Sequence, residues 1–281
     1  MIILPEEHDV IRQVLTKAFG DAEDRPQILD SDFSDYDGVR IAIHYAASEG
    51  TILRVSISSP CWEELQSFDV MSYLDEKYGQ WKVEPAPNMN YTLQFDIATP
   101  PDNVEDVISS VARLKTTMYS APFKNTIKKV VDGKADNSIV QLAYRPKEMI
   151  YLKAQSDGIL IIFSLHFMDV TEAAIARVFC QEFQDAKNNH ALSSCPPCRF
   201  DDSVPTDLEG VPGVTDKDMV GFVSFKLDPH HYAGNHEETV SARLQNFRTY
   251  LAYHIKATKA FLHFRMRRRG ASWLQEWERN D

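Results

Sequence analysis

The chain has 281 residues, with 30 Lys+Arg against 41 Asp+Glu and a net charge of −11. Hydrophobic residues make up 43% and charged residues 25%, an ordinary globular balance that excludes a disordered, collagen-like or low-complexity chain. The length favours two domains over one and supplies enough chain for sizeable cores.

The opening Met1-Ile2-Ile3-Leu4-Pro5-Glu6-Glu7 is apolar but has no basic region and no cleavage site, so it does not read as a signal peptide. No stretch approaches the roughly 20 apolar residues that span a bilayer. Four cysteines (Cys61, Cys180, Cys195, Cys198) are too few for a disulfide framework. The expectation is a soluble, intracellular protein without membrane insertion.

In chain order, residues 39–45 and 52–58 are β-branched and aromatic and flank Ser48-Glu49-Gly50, which predicts a hairpin. Trp62, Leu65, Phe68, Leu74 and Tyr78 then follow helical spacing. Strands are expected around 81–83 and 91–97, and a helix near 104–118. Pro122 is expected to interrupt that helical run, which places a boundary near it and divides the chain into domains 1–121 and 122–281.

The second half repeats the pattern. Residues 149–152 and 159–163 flank Ser156-Asp157-Gly158, and Val170, Ala173, Ala174, Ile175, Val178, Phe179 and Phe183 mark a helix. A strand follows at 220–227, then a long helix from about 237. The order hairpin, helix, strands, helix occurs twice. It predicts an α/β fold of the α+β type: two similar domains with mainly antiparallel sheets flanked by helices, ending in a long C-terminal helix. Residues 188–218, rich in Pro, Asp and Ser, read as the least regular region.

Residues 237–269 contain neither Pro nor Gly, so this helix is expected to run about 50 Å. Val240, Leu244, Phe247, Leu251, Ile255, Thr258, Leu262 and Met266 form one stripe at 3- and 4-residue spacing. Tyr250, Tyr253, Ala257, Phe261 and Phe264 form a second. One stripe should pack on the helix's own sheet and the other should meet a partner. From Arg243 to Asp281 the net charge is +6, and the rest of the chain carries −17. An acidic body with a basic arm points to an acidic partner for the arm.

Cys195-Pro196-Pro197-Cys198 has the spacing of a redox dithiol or half a zinc site. Cys180 and His190 do not complete a familiar zinc pattern, and an incidental pair of thiols is the simpler reading. Asp32, Asp35, Asp37 and Gly38 look faintly like a calcium loop. An EF-hand register, however, puts Phe33 and His44 where carboxylates are required, so the cluster reads as an acidic turn. His230, His231 and His236 fall in a loop and read as surface histidines. No Gly-rich phosphate loop, Gly-x-Ser-x-Gly or His-Glu-x-x-His occurs, so no catalytic residue, cofactor or metal site is assigned.

Phe247-Arg248-Thr249-Tyr250-Leu251-Ala252-Tyr253-His254-Ile255-Lys256, continuing through Lys259-Ala260 to His263-Phe264-Arg265-Met266-Arg267, closely resembles the C-terminal helix of the subunit 2 family of the actin-related protein 2/3 complex. Asp35-Tyr36-Asp37-Gly38-Val39, Val55-Ser56-Ile57-Ser58, Phe179-Cys180-Gln181-Glu182-Phe183 and Gly221-Phe222-Val223-Ser224-Phe225 fit the same family in the same order.

The resemblance implies a non-enzymatic cytoplasmic scaffold of two similar domains. Its long helix would pair with subunit 4 at the core of a seven-subunit assembly that contacts the mother filament and nucleates a branch. On that basis Tyr250, Tyr253, Ala257, Phe261 and Phe264 are expected at the partner-subunit interface. Lys256, Lys259, Arg265, Arg267, Arg268 and Arg269 are expected to face actin. Gly270 is expected to interrupt the helix, and the Lys-rich tail that family members carry past it does not follow. Two rivals stand beside this reading: a thiol or metal protein using Cys195 and Cys198, and a nucleic-acid binder using the basic arm, which the −17 remainder opposes.

Overall fold

The computed structural model describes residues 5–20, 23, 25–185, 191 and 194–279, without the side chains of Glu49 and Glu278. It contains two five-stranded sheets whose pairings are all antiparallel. The first holds β1 (Ile28–Ser34), β2 (Arg40–Ala46), β3 (Ile52–Ser58), β4 (Lys82–Val83) and β5 (Tyr91–Asp96), in the order β1-β2-β3-β5-β4. The second holds β6 (Ile139–Arg145), β7 (Glu148–Gln155), β8 (Gly158–Leu165), β9 (Cys198–Asp201) and β10 (Gly221–Leu227), in the order β6-β7-β8-β10-β9. The two orders are the same permutation, so the duplication read from the sequence is an α+β unit used twice.

Helices α1 (Asp9–Ala18), α2 (Trp62–Gln66), α3 (Val70–Tyr78), α4 (Val104–Ala112) and α5 (Leu114–Val131) belong to the first half. Helices α6 (Val170–Asp185), α7 (Pro229–Tyr232) and α8 (His236–Arg279) belong to the second. Strand β2 buries Ile41, Ile43 and Tyr45 on alternate positions, the period of a sheet with one core face. Strand β8 is buried at every residue. Ile159, Ile161 and Phe163 enter the main core, while Leu160 and Ile162 join Tyr151, Phe222 and Leu208 on the opposite face. Val204, Val211 and Val214 pack on that second cluster, so part of the segment read as least regular covers the back of the sheet. Gly221 lets β9 close on β10, because a Cβ there would sit 2.5 Å from the Asp201 carbonyl oxygen.

Several elements differ from the sequence reading. Strand β1 precedes the acidic turn, and its inward face holds only the half-buried Leu29 and Phe33 around Ser31, a weak apolar signal. Strands β6 and β9 are also additional. Pro122 does not end its helix but lies inside α5, across the expected 121/122 junction. It removes one backbone hydrogen bond, yet every side chain from Thr116 to Phe123 is buried, and that packing holds the helix together. Gly270 likewise does not interrupt α8, which runs 44 residues, about 66 Å, to Arg279. A single glycine costs only about 1 kcal/mol against alanine, and Ala271, Leu274 and Gln275 after it are good helix formers.

The two halves meet through a buried ionic network. The β1–β2 turn is set by Asp35, whose carboxylate accepts from the backbone N–H of Asp37 (2.8 Å) and Val39 (3.0 Å). Lys115 of α5 bonds both Asp35 and Asp37. Arg145, at the β6–β7 turn, reaches Asp37 at 2.9 Å and donates to the Tyr36 carbonyl. Glu148 starts β7 and is 2% exposed. It accepts from the Arg248 guanidinium at 2.9 and 3.0 Å, from the backbone N–H of His166 at 2.8 Å and from the Tyr144 hydroxyl at 3.3 Å. Arg248, 5% exposed, also donates to the His166 carbonyl (3.1 Å) and stacks over the Phe167 ring at 4.2 Å. Its neighbour Thr249 donates to Asp37 at 2.9 Å.

Removing one member of the Arg248–Glu148 pair leaves an uncompensated buried charge. Arg248→Met or Glu148→Gln is expected to lower unfolding free energy by about 3–5 kcal/mol, and Arg248→Met with Glu148→Leu by much less, measured by urea denaturation. Burial alone would raise the Asp37 carboxyl, but Lys115 and Arg145 outweigh it and hold the pKa below the usual aspartate value. A depressed pKa contributes stability that is present above the unfolded value of about 3.9 and is lost as pH falls through the folded one. Asp37→Asn is therefore expected to destabilise the protein at pH 7, with the difference from wild type shrinking below about pH 4.

Candidate functional site

The projecting half of α8 is the chain's principal uncovered feature. Its first half is anchored. Phe247 lies 5.0 Å from Phe163, 4.9 Å from Phe225 and 6.1 Å from Phe183, ring centre to ring centre. Leu251 and Ile255 are fully buried. Glu238 near the helix start pairs with Lys124 of α5 and, at 3.7 Å, with Lys77 of α3. Beyond Lys259 the environment changes: every described side chain from Ala260 onward is exposed. These last 20 residues extend about 30 Å at 1.5 Å per residue.

The expected partner-facing residues divide at this point. Tyr250 is half-buried in the body, packed on Phe183 and His254, with its hydroxyl buried and unpartnered. Tyr253, Ala257, Phe261 and Phe264 are exposed, the two phenylalanines by 58% and 63%. The first stripe, expected to pack wholly on the sheet, does so only as far as Thr258. Leu262 and Met266 are exposed, and Trp273 and Trp277 prolong their face, with ring centres 5.0 Å apart. These tryptophans lie past Gly270, where a helix break was expected, and their 4-residue spacing was the available signal.

The basic residues divide as well. Lys259 is held by Asp169 (2.7 Å) and Glu172 (3.2 Å), which pin α8 to the start of α6. Lys256 lies 5.3 Å from the centre of the Tyr36 ring. Arg265 lies 5.6 Å from the Phe261 ring centre. Arg267, Arg268 and Arg269 have no carboxylate partner among the described residues. The surface is thus an aromatic and arginine-rich helix that no described residue of its own chain covers, the composition of an interface core.

Comparison with known proteins gives this helix a family context. Residues 55–280 match the family described as Arp2/3 complex, 34 kD subunit p34-Arc. The chain belongs to this family. It is 29% identical to the actin-related protein 2/3 complex subunit 2 of Schizosaccharomyces pombe, across 97% of this chain and 92% of that protein. It is also 29% identical to subunit 2A of that complex from Arabidopsis thaliana, across 98% and 90%. The family match runs from β3 through the projecting half of α8 and includes the β6–β7 turn and Arg265 to Arg269.

The other candidate chemistry is opposed by local geometry. Cys198 is buried at the start of edge strand β9, and the Pro197 carbonyl accepts from the Lys226 N–H at 3.2 Å, so the motif leads into a sheet and not onto a helix N-terminus. Burial pushes the Cys198 thiol up to about 12, and burial with Cys198 as neighbour does the same for Cys180. Such thiols stay protonated near neutral pH and are poor nucleophiles. His190 lies outside the described residues. Asp228, His230 and His231 place one potential ligand atom each within 4.8 Å of the others. His231 Nδ1, however, accepts from the Asp228 N–H (2.9 Å), which leaves the ring proton on Nε2 and removes that nitrogen as a lone-pair donor. No helix among the described residues is long and apolar enough to cross a membrane.

Cys61, Cys180 and Cys198 are buried and Cys195 is exposed. A thiol titration at pH 8 should show one fast-reacting group, lost in Cys195→Ser, and three more only after denaturation.

Proposed function

We propose that this chain is a non-enzymatic scaffold subunit of the actin-related protein 2/3 complex, working in the cytoplasmic actin cytoskeleton. Its projecting helix pairs with subunit 4 to form the core of the complex and contacts the mother filament during branched nucleation. The observation that carries this reading is the free half of α8: about 30 Å of helix with Phe261, Phe264, Trp273 and Trp277 uncovered. A solvated helix with apolar side chains on several faces is an aggregation hazard unless another chain covers it. The family match supplies the class of partner, and α8 supplies the surface.

Within this reading Tyr253, Ala257, Phe261 and Phe264 meet subunit 4, with Tyr250 bracing them from the body. Arg265, Arg267, Arg268 and Arg269 face the acidic filament, with Lys256 at the base of the strip. Lys259 acts one step removed, fixing the helix through Asp169 and Glu172. Opposite charge speeds and orients docking, and makes it depend on salt. The −17 body disfavours a nucleic-acid partner, because phosphates would be repelled outside the arm.

The test uses the assembled complex. Arg265→Glu with Arg267→Glu should lower cosedimentation with filaments by about tenfold at low salt and by less at high salt. Phe261→Asp with Phe264→Asp should instead reduce recovery of subunit 4 with the tagged chain. Filament binding unchanged by the arginine reversals would sink the assignment of the strip.

A further inference from the structure

Ser272 lies one helical turn past the end of the arginine strip. Arg267 and Arg269 stand five and three residues before it and Trp273 follows it directly, and no other Ser or Thr in the chain has arginines at both positions. Its side chain is exposed, and its hydroxyl donates to the Arg268 carbonyl at 3.0 Å. Arg265, Arg268 and Arg269 share its helix face at 7, 4 and 3 residues' spacing.

We propose that Ser272 is the acceptor for an arginine-directed protein kinase, and that its phosphate acts as a charge switch on this strip. A kinase groove with carboxylates for the arginines at −5 and −3 and an apolar pocket for Trp273 fits this sequence. Phosphoryl transfer needs the hydroxyl in line with the γ-phosphate, so the segment must leave the helix to react. The structure makes that inexpensive. From Ala260 onward the described side chains are exposed, and Gly270 sits two residues away. An uncovered stretch with an interior glycine opens at low cost.

In the reaction the Ser272 oxygen bonds to the γ-phosphorus of ATP and the bridging bond to ADP breaks. The hydroxyl proton passes to the kinase's catalytic carboxylate. The product can no longer donate to the Arg268 carbonyl. It carries about −1.5 to −2 charges within reach of Arg265, Arg268 and Arg269, which re-forms the helix around charge-assisted bonds and cancels roughly half of the strip's positive charge. The consequence for filament contact rests on the proposed function; the modification itself does not.

The purified full-length chain is incubated with ATP and an arginine-directed kinase, or with a kinase directed by acidic residues, and phosphate is located by mass spectrometry. The expected result is one phosphate on Ser272 with the first kinase only, absent in Ser272→Ala and formed about tenfold more slowly in Arg267→Ala with Arg269→Ala. No phosphate on Ser272, equal labelling by both kinases, or an unchanged rate in the double arginine variant would each overturn the assignment. The complex is then assembled with modified or unmodified chain and cosedimented with filaments, where a loss of about threefold on modification is expected. Strong binding that phosphate leaves unchanged overturns the switch. Filament binding unaffected by Arg265→Glu with Arg267→Glu overturns the filament reading and leaves the phosphorylation site standing.

Discussion

Two consecutive residues of α8, Arg248 and Thr249, hold the turns that open the two sheets. Arg248 binds Glu148 at the β6–β7 turn and Thr249 binds Asp37 at the β1–β2 turn, while Arg145 joins the turns directly. The network contains three carboxylates (Asp35, Asp37, Glu148) and three cations (Lys115, Arg145, Arg248), so it closes without net charge. Bringing six charges out of water is costly, and such a cluster is a poor source of stability compared with packed hydrocarbon. What it gives is geometry: bidentate and multiply bonded ions tolerate little displacement, so the register and direction of α8 are fixed where it crosses between the halves.

The free half of α8 follows from that clamp. The helix is held at its start by Lys77 and Lys124, in its middle by the ionic network and the Phe163–Phe225–Phe247 cluster, and at its exit by Lys259. Past that point it continues as a cantilever. Its apolar stripe passes from buried Leu251 and Ile255 to uncovered Leu262 and Met266 and resumes past Gly270 at Trp273 and Trp277. The same periodicity that packs the first half on its own chain therefore presents a ready seam to another. An isolated helix of 20 residues is only marginally stable in water. Continuity with an anchored helix removes the cost of nucleating it, so the seam is ordered before any partner arrives.

The sequence revealed most where burial and periodicity agree. The hairpins β2–β3 and β7–β8, the strand β10 and the long helix all have strong apolar patterns, and the repeated order of elements exposed the duplication. Strand β1 was hidden because its inward face offers only Leu29 and Phe33, both half-buried, and β9 because it is four residues beside a proline pair. Pro122 and Gly270 misled for the same reason: their local cost was weighed without the tertiary packing around one or the strong helix formers around the other. The ionic network was half visible. Arg248 sits three residues before Leu251 and four after Leu244, a charge on an apolar stripe, which signals a buried partner without naming it. Glu148, 100 residues away, carries no local mark at all.

The charge asymmetry gains meaning from the stiffness of this helix. A flexible arm of net +6 tethered to a body of net −17 would fold back onto it and neutralise itself. Arg265 to Arg269 lie roughly 8–14 Å past Ala260 along the axis, at or beyond the Debye length of about 8 Å at physiological salt. The rigid helix therefore holds its arginines outside the screened field of the acidic body, with their charge available to another molecule. Lys259, at the foot of the projection, is close enough to be satisfied by the body's own carboxylates, and Asp169 and Glu172 take it. The electrostatic function of the arm thus depends on its mechanical one: whatever melts the helix past Ala260 also silences its charge.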